Sequence, residues 1–282
     1  MNTPSRSILV GYDGSADSDR ALSWAEEMAR QTRRPLHVLI SSVDLTHVFE
    51  FGHDWHVAKM ARIESDARDR LKESKAPEVS VAVAETSPTT ALIDASGQAS
   101  LVVVGARGHS ALSGVVLGSV SQHVSQHAAC PVVVVRPAAH ALNRVVVGVD
   151  GSPGSSAALE FASEHASRTG AALTVICAWP SLSHGRGALM GAPFENHFTE
   201  EMNSVERALS EAVAGLSERY PDVKIDTEAI PVAPSRCLAD ASAAASLLVV
   251  GSRGRGAFAG MLLGSVSQSV LHHAQCSVAV VR

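Results

Sequence analysis

The sequence predicts an α/β protein built as two tandem, doubly wound domains, each with a five-stranded parallel sheet, and three observations carry that expectation. First, the chain repeats itself. Residues 100–136 align with residues 246–282 without a gap, at an offset of 146, with about 23 of the 37 positions identical. The openings match as well: Ile8-Leu-Val-Gly-Tyr-Asp-Gly-Ser15 faces Val145-Val-Val-Gly-Val-Asp-Gly-Ser152 at an offset of 137. Second, short apolar runs alternate with longer amphipathic stretches, as parallel strands alternate with crossover helices. Third, a length of 282 residues leaves each copy near the common domain size, so two copies mean two domains rather than a solenoid.

In chain order, residues 7–12 form an unbroken apolar run, too short for a helix and suited to a strand buried on both faces. Ser15 then reads as the N-cap of an amphipathic helix running through Arg30. Residues 36–43 are the second strand, 55–74 a charged helix, 79–84 a strand and 88–98 a helix. Residues 101–104 are another buried strand, residues 118–121 open the next helix, and 131–135 close the copy. The second copy runs 144–149, 153–169, 172–178, 198–218, 223–230, 234–244, 247–250, 265–274 and 277–281. The domains are expected at 1–137 and 143–282, joined by the short segment 137–142. In a doubly wound sheet, ligands bind outside the carboxyl ends of the strands.

Composition narrows the function. Aromatics make up 4% against 46% hydrophobic residues, so the cores must be aliphatic. The net charge of -5 is shared between the halves, with no basic run or acidic tail, which argues against a nucleic-acid or membrane-surface partner. No export signal or membrane span is legible, and the four cysteines lack C-x-x-C spacing, so a reducing cytoplasm with free thiols is expected.

The chemistry concentrates where the repeat is strongest. Gly105-x2-Gly108-x9-Gly118-Ser119 follows a buried strand and opens a helix, and Gly251-x2-Gly254-x9-Gly264-Ser265 does the same. Glycines permit positive φ and close backbone approach. The free N–H groups of a helix start, with its dipole, attract anions. Ser119 or Ser121 adds a hydroxyl donor, and Arg107 or Arg253 adds a cation at the loop. Two copies with the same spacing, each between strand and helix, point to two phosphate sites rather than turn glycines alone. Neither cradle carries a lysine or a G-x-x-x-x-G-K-[ST] run, and Gly11-Tyr-Asp-Gly14 departs from the dinucleotide fingerprint.

The pattern G-x2-G-x9-G-[ST] after a fourth strand, paired with an Asp at the end of the first, resembles the ATP-binding branch of the universal stress proteins, in their tandem two-domain form. The resemblance covers essentially the whole chain. It implies strand order 3-2-1-4-5 and ATP held between the ends of strands 1 and 4. Gly105, Gly108, Gly118 and Ser119, and Gly251, Gly254, Gly264 and Ser265, would hold phosphates and ribose. Asp13 and Asp150 would lie near the nucleotide and a divalent cation such as Mg2+ or Mn2+. Gly11 and Gly148 would permit close approach, and the amides of Val120 and Val266 would contact phosphate. Ser42 and Ala178 match the backbone that recognises adenine. The domains would pair through their fifth strands, as a pseudo-dimer within one chain or between chains. The implied role is a stress-response regulator or sensor, with a protein partner that the sequence does not name; a weak ATPase on the same fold is the alternative.

Other residues have plainer readings. Asp13 and Asp150 could cap the following helix or form Asx turns with Gly14 and Gly151. His123-x3-His127 with Cys130 has metal spacing, but the second copy has Ser269, His273 and Cys276, so helix packing is preferred. The insertions after the second strands carry His53, His56, Phe49, Phe51, Trp55, Phe194 and Phe198, read as a loop over the domain in preference to a lid or partner surface. No G-x-S-x-G elbow supports a hydrolase. With no placed base or second metal ligand, the sites suit holding a nucleotide more than turning it over.

Overall fold

The computed structural model describes residues 6–41, 53–108, 117–137, 142–180, 192–256 and 261–282. Contacts divide the chain into two compact units, Met1–Pro137 and Ala138–Arg282. The first contains β1 (Ile8–Gly11), α1 (Ala16–Thr32), β2 (Leu36–Ser41), α2 (His53–Arg70), β3 (Val79–Ala84), α3 (Pro88–Ser96), β4 (Leu101–Gly105), α4 (Ser119–His127) and β5 (Val132–Val135). Its strands are parallel and ordered β3-β2-β1-β4-β5. Ile8 stands opposite both Leu36 and Leu101, and Val10 opposite both Val38 and Val103. The chain therefore winds one way from β1 to β3 and the other way through β4 and β5. The reversal leaves a crevice at the carboxyl ends of β1 and β4.

The second unit contains β6 (Arg144–Gly148), α5 (Pro153–Thr169), β7 (Ala172–Ala178), α6 (Ala192–Val213), α7 (Leu216–Arg219), β8 (Ile225–Ile230), α8 (Pro234–Ala241), a 3-10 turn (Ser242–Ala244), β9 (Leu247–Gly251), α9 (Ser265–His273) and β10 (Ser277–Val281). Its parallel order, β8-β7-β6-β9-β10, repeats the first winding. In both units the central strands are valine and leucine runs with almost no exposure, as a sheet covered on both faces requires.

Local chemistry explains the turns that aim the site. Gly14 (φ 79°) and Gly151 (φ 78°) take the left-handed turn after β1 and β6, which other residues adopt at a cost. Ser15 then caps α1, its hydroxyl accepting the Ser18 amide at 3.2 Å, and Ser152 caps α5 through Ser155 at 3.2 Å. Ala21, Leu22, Ala25, Met28 and Ala29 form the buried stripe of α1.

Several expected boundaries move. The charged helix spans 53–70 rather than 55–74, and α3 ends at Ser96. The long helix expected over 198–218 begins at Ala192 and breaks before α7, where Gly215 takes φ 76°. Residues 242–244 tighten into a 3-10 turn instead of continuing α8. Pro131 has no N–H to give, so β5 starts at Val132, although the Pro131 carbonyl still accepts the Val102 amide at 3.0 Å. Residues 42 and 43 of the expected second strand lie outside the described residues, as do 138–141 of the joining segment.

Candidate functional site

Each unit carries a cavity at its switch point, of about 410 Å³ in the first and about 580 Å³ in the second. Both volumes fall in the range of small-molecule sites. Gly11, Asp13, Gly105, Arg107, Gly108, Gly118, Ser119 and Val120 line the first cavity. Gly148, Asp150, Gly251, Arg253, Gly254, Gly264, Ser265 and Val266 line the second. These eight residues of each domain thus border one cavity. Ser42 lies outside the described residues; Ala178 borders the second cavity beside Cys177 and Trp179.

The cradle glycines serve close approach. Among the described residues the left-handed glycines are 14, 151, 170 and 215, whereas Gly118 and Gly264 are extended N-caps at φ -74° and -75°. The expectation that cradle glycines supply positive φ is therefore corrected for the motif glycines of both domains. A Cβ on Gly105 would stand 2.7 Å from the Asp17 backbone carbon, and one on Gly251 2.7 Å from that of Gly154. The first turns of α1 and α5 seat against the ends of β4 and β9 only because both strands end in glycine. A Cβ on Gly108 would meet Asp13 Oδ2 at 2.7 Å, and one on Gly254 would crowd Asp150 Oδ2. Gly11 and Gly148 make room for leucines of the neighbouring helices, since an added Cβ would meet Leu92 at 3.0 Å and Leu238 at 2.6 Å.

The helix starts over each cavity lack side-chain caps, unlike α1, α3 and α5. In α4 the Gly118 carbonyl accepts the Gln122 amide, so the three amides before it have no partner within the helix. Ser121 borders the cavity but its hydroxyl donates to the Gly105 carbonyl at 2.6 Å, and the Ser267 hydroxyl has the Gly264 and Ser252 carbonyls within reach at 2.9 and 3.0 Å. The Ser121 bond ties helix to strand, and Ser119 and Ser265 are the exposed hydroxyls of the first turn.

Asp13 and Asp150 form the Asx turns, accepting the amides of Ser15 and Ser152 at 3.0 Å, while the serines cap the helices. Asp150 also reaches across its cavity, Oδ2 accepting the Arg255 amide at 2.9 Å. Burial opposes its ionisation, but hydrogen bonds from Ser152, the Arg255 amide and Ser155 outweigh burial and hold its pKa below the usual carboxylate value.

The comparisons agree with this architecture. The family model described as the universal stress protein family matches residues 4–136 and again residues 141–282. The chain belongs to the universal stress protein family. A universal stress protein of Mycobacterium tuberculosis is 35% identical over 292 aligned positions, covering 98% of this chain and 96% of the relative. One from Mycolicibacterium smegmatis is 37% identical over 289, with the same coverage. The crystal structure of a universal stress protein from Archaeoglobus fulgidus shares the fold, with a TM-score of 0.67 and 21% identity over 99% of this chain and 97% of that one.

Within the two stress-protein domains, the structure adds residues that motif reading passed over. Asp17 of α1 is buried, and its Oδ2 accepts both the backbone amide and Nε of Arg107, at 3.0 and 3.1 Å. Its other oxygen pairs with Arg20. Lys59 of α2 borders the first cavity, where the second has Val205. The Asp17–Arg107 contact spans 90 residues, so no local motif reveals it. Its one trace in the sequence is a break in the repeat, Asp17 against Gly154 at the offset of 137. Cys177 stands in the second cavity, its thiol pKa raised by burial and then by Asp150.

The remaining candidates are placed elsewhere. His123 and His127 stack on α4 with ring centroids 6.3 Å apart, and their Nδ1 atoms meet the carbonyls of Ser119 and His123. Among the described residues no three His, Cys, Asp or Glu side chains converge as a metal site. Among them, no helix is long and apolar enough to cross a membrane. Phe49 and Phe51, and the side chains of His53, Trp55, His56 and Phe194, lie outside the described residues.

Proposed function

We propose that each domain binds ATP at its switch-point cavity, giving two nucleotide sites per chain. The protein then acts in the cytoplasm as a stress-response regulator or sensor that holds nucleotide with little hydrolysis. The observation that carries this reading is the uncapped helix start over a glycine-lined cavity, present in both domains. Amides without helical partners, an exposed first-turn serine and an arginine at the rim suit a phosphate chain. The apolar end, Leu39 and Ile40 in one domain and Ile176 and Trp179 in the other, suits a flat base. A single carboxylate at the β1 or β6 end fits a Mg2+ or Mn2+ ion held mainly by phosphate oxygens. The chain's own residues bind and orient; among the described residues none is placed to activate a water for attack on the γ-phosphate.

The test is to denature purified full-length protein and chromatograph the released nucleotide. Unchanged ATP supports the reading. A chain that is empty, and that gives no heat with millimolar ATP, overturns it. Steady ADP release, abolished in the Asp13→Ala, Asp150→Ala double variant, would make the protein an enzyme instead.

A further inference from the structure

We infer that the two sites are electrostatically unequal: the second discriminates by phosphate charge, and the first does so weakly because Asp17 neutralises its arginine. This rests on the nucleotide reading proposed above. Arg107 and Arg253 occupy the same place in the repeated cradle. Arg107 is engaged by Asp17 through Nε and its amide, and the Asp17 side chain is only 6% exposed. In the second domain Gly154 replaces Asp17, and among the described residues Arg253 has no ion pair or side-chain hydrogen bond.

Gly154 is not an interchangeable neighbour. A Cβ there would stand 2.7 Å from the Arg253 carbonyl oxygen, so the second domain has no room for an aspartate in this backbone. The charge balance follows. Asp17 pairs with Arg20 as well, and neither lines the cavity; at the cavity itself Arg107 is tied to the Asp17 carboxylate beside Lys59 and Asp13, whereas in the second site Arg253 and Arg255 face Asp150 with no such carboxylate on Arg253 among the described residues. Each further phosphate therefore adds more attraction in the second site. In the first, a buried carboxylate beside the guanidinium offsets the gain.

The geometry thus points to Arg253 as the specificity-determining cation for the triphosphate, and to Asp17 as a positioning residue that suppresses its counterpart. The experiment is titration of the full chain with ATP, ADP and AMP. Calorimetry follows both sites, and Trp179 emission follows the second, with Trp179→Phe as the optical control. The expected ATP isotherm has two phases, with Trp179 responding in the tighter one, and AMP narrows the gap between them. Arg253→Gln weakens the tight phase about tenfold or more, the loss of a charge-assisted hydrogen bond, and leaves the weak phase in place. Asp17→Asn retains an acceptor for the Arg107 amide and tightens the weak phase for ATP but not for AMP. Circular dichroism of each variant establishes that it is folded. No tightening for ATP in Asp17→Asn, or a Trp179 response in the weaker phase, overturns the inference while leaving two ATP sites intact. Absence of binding at both sites overturns the proposed function and this inference together.

Discussion

In the first domain the guanidinium beside the glycine loop faces a buried carboxylate from the neighbouring helix; in the second, that helix position is a glycine and the guanidinium has no ion pair among the described residues. The cradles otherwise share their glycines, first-turn serine and Asx-turn aspartate. The difference teaches which features of the repeat are fixed by backbone geometry and which are free to set charge. Glycines at 105 and 251 are fixed, because the facing helix turn lies against both strand ends. The residue on that turn is constrained only by the local fit, and there the copies diverge.

The largest expected effects test the shared part. Gly105→Ala and Gly251→Ala should each destabilise their own domain by about 3 kcal/mol, since the new methyl meets backbone that cannot swing away. Domain-resolved hydrogen exchange would register the loss. Gly118→Ala and Gly264→Ala should cost under about 1 kcal/mol in the same assay, because neither needs positive φ and the nearest atoms lie at 3.3 and 3.5 Å. Equal costs at all four positions would contradict the close-approach account.

A comparable effect separates the domains by pH. His165 of α5 occupies the position of Met28 in α1 and is buried, and burial, then Arg168, pushes its pKa down to about 4. The unfolded chain takes up this proton near its ordinary value of 6.5 and the folded domain resists it. The neutral form's full contribution is therefore present above about pH 6.5. It is lost as pH falls towards 4, by about 3 kcal/mol in all. His165→Met should flatten this slope in denaturant titrations of the second domain at pH 7, 5.5 and 4.5. An unchanged slope would rule out His165 as its source. The first domain has His37 on β2, its pKa also lowered by burial, so His37→Thr, the residue at the matching position 174, provides the parallel measurement.

The smallest effects test equivalence. Ser15→Ala and Ser152→Ala remove matching caps with the same 3.2 Å bond and should each cost about 1 kcal/mol in thermal unfolding. A clear inequality would show that the two helix starts are not alike.

The sequence made the fold legible because its signals are local. Valine runs, Gly14 and Gly151 turns and serine caps act within a few residues, and the doubled glycine spacing located both cavities. The Asp17–Arg107 pair was not legible as a contact, because it depends on how α1 seats against β4. Lys59 lies on a helix poorly matched between copies, and its approach to the cavity depends on how α2 docks. The leucines behind Gly11 and Gly148 show the same limit: a strand-end glycine announces close approach, but the approaching side chain is set by the tertiary fold. Gly215 broke a helix whose charge pattern continued through it.

The central claim is two ATP sites per chain, and native mass spectrometry of the full-length protein titrated with ATP tests it most directly. Two successive nucleotide additions, the second requiring more ATP than the first, are the predicted result. A spectrum that remains nucleotide-free at millimolar ATP, or that saturates at one nucleotide, would contradict it.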